Sequence, residues 1–318
     1  MIDLSICIVS YNTKDLLKQC IGSIYREMKS TSFEIFVVDN ASIDGTVDMV
    51  KDSFPNVLII GNEKNLGFAT ANNQAIKKSR GRYILLLNPD TVILDAALDK
   101  LVGFMELHPE VGAVGPQLIY PDGTFQFSYD DGISLKGFFR MLITNNFLSI
   151  LSFFSPIKNL RNRRIQHSLK IKEVGRVRGC CLLVRQSCLT KVGLMDEHFF
   201  MYCEEVDWEF RIKNAGWKIC FFPFARVIHY WGASTKQNKE QFNFIQFQSN
   251  YKYFRKHYGN VGVFVFRCML FVNFVIKTLY LFKKIILYKI NWVEFQRQLL
   301  LSWKILWLTP DKNFNKKG

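Results

Sequence analysis

The sequence predicts an α/β fold: a mostly parallel sheet flanked by helices, followed by a helical, membrane-associating extension at the C-terminal end. Three observations carry this reading. Short apolar runs alternate with segments of helical spacing four times in about the first 90 residues. Charged residues at 22% and hydrophobic residues at 49% describe a chain that buries a core, not a disordered one. Beyond Tyr251 the alternation gives way to long apolar stretches interrupted by cations. The 318 residues suffice for one large domain or two small ones.

Leu4–Ser10 is short, apolar and β-branched, and ends at Tyr11-Asn12-Thr13. It reads as a buried strand leading into a helix whose apolar residues (Leu16, Leu17, Cys20, Ile21, Ile24) share one face. Glu34–Val38 is a second buried strand, stopped by Asp39-Asn40-Ala41-Ser42, and Asp44-Gly45-Thr46 opens the next helix. Val57–Ile60 and Gly67–Ser79 make a third strand and helix. Tyr83–Leu87 is a fourth strand, ending at Asn88-Pro89-Asp90-Thr91. Helix Leu98–His108, strand Gly112–Tyr120 and the turn Pro121-Asp122-Gly123 follow. Residues 130–172 lack a period, are basic and carry apolar clusters, as a mobile loop or short helices would. Gly179–Val184 is a strand. The acidic run Glu204-Glu205-Val206-Asp207 opens a helix reaching Ala215-Gly216, and Trp217–Phe221 and Ala225–Tyr230 read as two short strands.

Val261–Phe282 is apolar apart from Arg267, Asn273 and Lys277. As a helix of roughly 33 Å it is long enough to span a bilayer. Each internal cation, however, costs on the order of 2.5–3.5 kcal/mol near the bilayer centre. The flanking Lys283, Lys284, Trp292, Trp303 and Trp307 favour the headgroup layer. The expectation is therefore peripheral attachment to the cytoplasmic face of the membrane, with a spanning helix second and helices packed on a soluble core third.

The net charge of +15 is unevenly placed. Residues 251–318 hold thirteen Lys/Arg against Glu294 and Asp311, and residues 136–172 hold eight with no acid, leaving the remainder mildly acidic. Such patches seek anions, either nucleic acid or acidic lipid. The tail's cations alternate with long aliphatic and aromatic runs that need a lipid or protein cover, which argues against nucleic acid. The eight cysteines show no Cys-x-x-Cys pair, so no zinc site is signalled and reduced thiols are expected. The first residues carry neither a basic n-region nor a cleavage pattern, unlike a signal peptide.

No Gly-x-Gly-x-x-Gly and no P-loop occurs. Carboxylates at strand ends occur instead, where open α/β sheets bind their ligands. Asp39 is placed to accept hydrogen bonds from a nucleobase imide or ribose hydroxyl, or to cap the turn after it. Asp90 is placed to ligate a hard divalent cation bridging diphosphate oxygens, or to cap a helix after Thr91. Glu204, Glu205 and Asp207 are close enough to raise one another's pKa, as suits a general base, or form an ordinary helix N-terminus with Asp207–Arg211 and Glu205–Glu209 as surface neighbours. His229, late on a strand, is a core residue or, with Asp90, a ligand.

In this order these stretches resemble the family-2 glycosyltransferases of GT-A fold, in particular their rhamnosyltransferase-like branch. The resemblance runs from Ser5 to about Ser234. It rests on Ile8–Asn12, Val37–Ser42, Asp44-Gly45-Thr46, Asn65–Ala69, Leu87–Thr91, Gly112–Pro116, Gly179–Arg185, Phe200–Asp207 and Val227–Tyr230. It implies that residues 1–115 bind a nucleotide sugar and that 116–245 bind the acceptor and carry out catalysis; the basic, apolar composition of 246–318 makes them the membrane-associating tail. Ser10, Tyr11, Asn12, Asp39, Asn40, Asn65, Gly67 and Phe68 would contact base and ribose. Asn88, Gly179, Cys180, Glu204 and Trp231 would line the donor sugar. Asn88 stands where the family carries the first Asp of its Asp-x-Asp motif, which leaves Asp90, with His229, to hold Mg²⁺ or Mn²⁺. Glu205 stands at the base position, with Asp207 as rival. The implied reaction is an inverting transfer from dTDP-rhamnose or a UDP-hexose to a saccharide hydroxyl, with the acceptor lipid-linked. The competing readings are a nucleic-acid binder, a nucleotidyltransferase and an inactive membrane-bound GT-A scaffold.

Overall fold

A computed structural model describes residues 2–133, 169–232, 239–287 and 290–306. The expected loop or short helices over 134–168, and Trp307 with the basic run after it, lie outside the described residues. Two compact units emerge: residues 1–132 with 165–239, and residues 133–164 with 240–318.

The first unit is built on a nine-stranded sheet. Strands β1 (Leu4–Ser10), β2 (Phe33–Asp39), β3 (Leu58–Gly61) and β4 (Tyr83–Leu87) alternate with helices α1 (Lys14–Glu27), α2 (Thr46–Ser53) and α3 (Phe68–Ile76). These four strands are parallel, in the spatial order β3-β2-β1-β4. All seven residues of β1 are buried, so the strand has helices over both faces and needs no polar alternation. Leu4, Ile6 and Ile8 meet Leu17, Ile21 and Ile24 of α1 in one core, whereas Cys7 and Val9 join Ala71, Ala75 and Trp208 in the other. Buried Glu34 on β2 accepts from the Ser5 hydroxyl at 2.7 Å and from the Arg80 guanidinium at 2.8 Å, which satisfies a carboxylate inside an apolar strand.

The chain continues through β5 (Thr91–Leu94), α4 (Ala97–Leu107), β6 (Val111–Ile119), β7 (Tyr129–Asp130), β8 (Lys172–Glu173), β9 (Arg176–Val177) and β10 (Cys181–Arg185), of which β7 and β9 pair antiparallel in a separate two-stranded sheet. Short α5 (Leu189–Val192), α6 (Glu204–Asn214) and β11 (Lys218–His229) complete it. Two expectations are corrected here. Thr91 opens strand β5, which pairs antiparallel with β11 from Thr91↔His229 to Leu94↔Arg226, so Asp90 caps no helix. Trp217–Phe221 and Ala225–Tyr230 are not two strands but one, whose register against β6 shifts between Phe222 and Arg226. Pro223 lies in that shift, and a residue without an amide proton is tolerated at such a bulge.

Strand direction gathers the functional loops on one rim. β4 is parallel to β1, and β10 runs against β4 with Cys181 opposite Leu87. β6 runs against β10, and β11 is parallel to β6. The carboxyl ends of β1, β2, β4 and β11 and the start of β10 therefore share an edge. Ser10, Asp39, Asn88, Cys180 and His229 are brought to it.

The second unit holds α7 (Lys239–Ile286) and α8 (Trp292–Leu306). At Gly259 α7 is broken by φ 60° and ψ −148°, a conformation open to glycine and little else. Tyr251, Phe254, Val263, Phe266 and Leu270 pack across the break, with the Phe254 and Phe266 rings stacked at 5.1 Å. α8 closes on α7 through Phe282–Phe295 and Phe274–Trp303 ring pairs at 4.9 and 5.8 Å. Another face of α7 stays bare: Val261, Phe264, Phe271, Val275 and Leu279 are exposed at spacings of three, four or seven residues.

Candidate active site

The rim is built by side chains that lace one loop to the next. After β1, the Asn12 amide donates to Ser42 Oγ and Asn12 Oδ1 accepts from the Ile43 amide, both at 2.9 Å. Asp44 Oδ2 takes the Lys14 amide at 2.9 Å, and its other oxygen takes the Thr46 hydroxyl. Asp39 Oδ2 accepts from the Ser42 amide at 2.9 Å, while Asp39 Oδ1 is buried without a partner. One oxygen therefore caps the turn, and the other has no hydrogen-bond partner. Ser10 bonds Thr13 at 2.9 Å, and Tyr11 is exposed above it.

The next loop is tied in by Asn40, whose Nδ2 donates to the Gly67 carbonyl at 3.2 Å. Asn65 Oδ1 accepts from the Gly67 amide at 2.9 Å, and the Phe68 amide donates to the Phe200 carbonyl at 2.7 Å. Gly67 has φ +83°, and a Cβ there would stand 2.3 Å from the Phe200 carbonyl oxygen. Only glycine satisfies both conditions. Positive φ is also adopted by Asn12, Ala41, Tyr202 and Cys203, all in these rim loops. Strain of this kind collects where a site must hold an exact shape.

Asn88 is fixed by its backbone, the amide donating to the Cys180 carbonyl at 2.9 Å and the carbonyl accepting from the Thr91 hydroxyl at 2.7 Å. Asp90 is 2% exposed, and its Oδ1 has no hydrogen-bond partner. That oxygen lies 3.5 Å from His229 Nε2. Gln126 Oε1 holds His229 Nδ1 at 2.7 Å and so turns Nε2 toward Asp90. Burial disfavours the charged imidazole, yet Cys180 and the Asp90 carboxylate outweigh it and push His229 up to about 10.

Two ligands with facing atoms, one orphaned and one oriented from behind, fit a divalent cation completed by diphosphate oxygens and water. Among the described residues no third His, Cys, Asp or Glu joins them.

The acidic helix start differs from a solvated N-terminus. Glu204, Asp207 and Glu209 are buried, and only Glu205 is half-exposed. The surface-neighbour alternative is thereby overturned. Asp207 pairs with Arg211 at 2.9 Å, and Arg211 also donates to the Leu194 carbonyl at 2.8 Å, so this carboxylate anchors α6. Burial and the adjacent Glu205 charge push Glu204 well above the carboxylate range. Glu209 is raised by burial and accepts from the Val177 amide at 2.7 Å. Glu205 keeps Oε2 without a hydrogen-bond partner. Its Cγ would lie 2.7 Å from a Cβ on Gly179, so Gly179 is the floor on which Glu205 rests. Trp231 is exposed beside His229, the ring centroids 6.1 Å apart.

Sequence reasoning did not single out Gln126, Asp130, Arg176 or Arg178. Arg176 binds Asp130 through two bonds of 2.7 Å, and Arg178 lies over the Phe127 ring at 4.5 Å. The paired arginines before Gly179 were the one visible signal.

The family described as Glycosyl transferase family 2 matches residues 5–190, more than half of the chain. The chain belongs to that family. It is a glycosyltransferase of GT-A fold and rhamnosyltransferase-like type, with relatives in polysaccharide biosynthesis. The N-acetylglucosaminyl-diphospho-decaprenol L-rhamnosyltransferase of Mycobacterium tuberculosis is 32% identical over 214 residues, 63% of this chain and 67% of that one. The O-antigen biosynthesis protein RfbC of Myxococcus xanthus is 24% identical over 235 residues, 73% of this chain and 18% of that one. Among solved structures, the mannosyltransferase PcManGT of Pyrobaculum calidifontis, in complex with GDP-Man and Mn²⁺, superposes with a TM-score of 0.56 at 16% identity. That match covers 96% of this glycosyltransferase and 87% of the other.

Proposed function

We propose that this glycosyltransferase moves a sugar from dTDP-rhamnose or a UDP-hexose to a hydroxyl of a lipid-linked saccharide in cell-surface polysaccharide synthesis, with inversion at the anomeric carbon. One observation carries the reading: the partnerless Glu205 oxygen shares a rim with the Asp90–His229 pair. The first supplies a base, and the second supplies a place for a diphosphate.

In this reading residues 1–115 hold the donor, 116–245 hold the acceptor and the base, and 246–318 associate with the membrane. Ser10, Tyr11, Asn12, Asp39, Asn40, Asn65, Gly67 and Phe68 surround base and ribose, with the unused Asp39 oxygen facing a donor hydroxyl or imide. Asn88, Gly179, Cys180, Glu204 and Trp231 border the sugar. Asp90 and His229 hold Mg²⁺ or Mn²⁺, which when bound offsets the charge of the departing diphosphate. Glu205 takes the proton of the acceptor hydroxyl as that oxygen attacks opposite the diphosphate, so an α-linked donor gives a β-linked product. Protonated Glu204 adds no second charge beside it. Rhamnose and a lipid-linked acceptor are supported by the name of the mycobacterial relative.

A thermal-shift screen of nucleotide sugars with Mg²⁺ or Mn²⁺ tests the donor. At a hundredfold excess over Kd, mass action stabilises the protein by about 2.7 kcal/mol. That corresponds to roughly 4 °C for a chain of this size. The rise is expected for dTDP-rhamnose or a UDP-hexose and only with the cation; no rise with any nucleotide sugar sinks the reading.

The second unit docks, in the same proposal, on the anionic cytoplasmic face of the membrane. The bare stripe from Val261 to Leu279 supplies apolar area, and Glu294 is the single acid among the described residues beyond Tyr251, against Lys252, Arg255, Lys256, Arg267, Lys283 and Lys284 among the cations. One helix is long and apolar enough to cross a membrane, Phe244–Ile286, but it contains the Gly259 break and the internal Arg267 and Lys277. In-plane binding keeps those cations at the headgroups. Co-sedimentation with anionic vesicles, lost for Phe264→Glu/Phe271→Glu and retained by the wild type in neutral detergent-free buffer, is the expected outcome. Equal recovery of both proteins with the vesicles contradicts it.

A further inference from the structure

Arg178 is a cation with no anion hydrogen-bonded to it among the described residues. Two residues earlier, Arg176 consumes the nearby carboxylate, binding Asp130 through both oxygens. The other oxygen capacity of Asp130 goes to the Gly132 amide at 2.8 Å. Arg178 is left between two rings, 4.5 Å from the centroid of Phe127 and 6.0 Å from that of Trp231. Its Nε is buried and donates to nothing, and among the described residues no carboxylate or carbonyl accepts from its guanidinium. Its backbone is held, the amide donating to the Ser128 carbonyl at 3.1 Å. Burial and the Arg176 charge lower the pKa of Arg178 against the opposing pull of Asp130, Cys180 and Glu205, so those neighbours offset its charge only in part.

A partly buried guanidinium normally pairs with an acid, because desolvation without an opposite charge is unfavourable. Aromatic faces recover part of that cost and fix the fork in place. A rigid, unpaired fork is a ready receptor for oxyanions. Its surroundings narrow the choice. Arg178 adjoins Gly179, the floor of Glu205, and it shares Trp231 with His229 of the cation pair.

We propose that Arg178, stacked between Phe127 and Trp231, binds a diphosphate oxyanion of a substrate and so is a positioning residue of the transfer reaction. The inference rests on the reading that the donor is a nucleoside diphosphate sugar. The oxyanion comes either from the donor's diphosphate or from the diphosphate of a lipid-linked acceptor. Lysine keeps the charge but not the fork, and glutamine keeps neither.

The test uses the full-length chain with Mn²⁺ and reads dissociation constants for UDP, dTDP, UMP and, as a lipid-side probe, farnesyl diphosphate in the wild type, R178Q and R178K. Melting temperatures without ligand are recorded alongside. R178Q is expected to lose tenfold or more for a diphosphate, R178K to fall between, and UMP affinity to change less than twofold. The ligand-free melting temperature is expected to hold or rise, since a guanidinium whose buried Nε has no hydrogen-bond partner has been removed. A loss confined to the nucleoside diphosphates places the donor on Arg178; a loss confined to farnesyl diphosphate places the acceptor there. Diphosphate affinities within twofold of wild type overturn the inference. So does a fall in melting temperature with parallel loss of UMP, which marks a structural arginine. A wild type that binds none of the diphosphates rejects the proposed function itself.

Discussion

Glu205→Gln is expected to lower turnover by about 10²–10⁴-fold while leaving donor affinity within twofold. The amide matches the carboxylate in shape and still rests on Gly179, but it cannot accept a proton from the acceptor. The loss therefore falls on kcat and spares binding. Asp207→Asn, the rival assignment, predicts a different pattern. Asp207 is fully buried against Arg211, and breaking such a pair costs about 3–5 kcal/mol of stability. Its melting temperature is expected to drop, and the fraction that remains folded to turn over. Single-turnover rates with melting curves separate the two. Full turnover by Glu205→Gln rejects the base assignment.

Asp90→Asn is expected to weaken cation-dependent nucleoside diphosphate binding about a hundredfold, or ~2.7 kcal/mol. The orphaned Oδ1 is the negative atom facing His229, and an amide in its place offers no charge to a divalent ion. Gln126→Leu acts from behind, by releasing Nδ1 and freeing the imidazole to turn. Loss of such a supporting partner weakens metal binding about 10–100-fold. The pH dependence has a defined sign. With His229 raised to about 10, a cation must displace a proton at neutral pH, so apparent cation affinity rises with pH below that value. Titration of Mn²⁺ at two pH values reads the slope, and a pH-independent affinity contradicts the assigned ligand pair.

Much of the fold was legible because its code is local. Leu4–Ser10, Glu34–Val38 and Tyr83–Leu87 are apolar runs ending in polar residues, a pattern that strands buried on both faces impose wherever they meet a ligand edge. Asp39, Asp90 and His229 stand at such ends and reach one rim by strand direction, whereas Glu205 is carried by the first turn of α6. The misreadings came from partners distant in sequence. Thr91–Leu94 carries turn residues before it, as a helix start would, and becomes a strand only because β11 offers an edge. Pro223 reads as a strand terminator, yet β11 absorbs it in a bulge. Burial of Asp207 and Glu209 depends on Arg211 and on the Val177 amide, the latter contributed by a separate strand. Gln126 and Arg178 carry no motif, and their meaning lies in the neighbours they lack or hold.

The most direct measurement is a crystal structure of the chain with Mn²⁺ and UDP or dTDP. The expected density has the cation between Asp90 and His229, the β-phosphate on it, the ribose at Asp39, and the open side of the phosphate facing Glu205. A nucleotide bound away from Asp90, with Glu205 turned from it, would contradict sugar transfer at this rim.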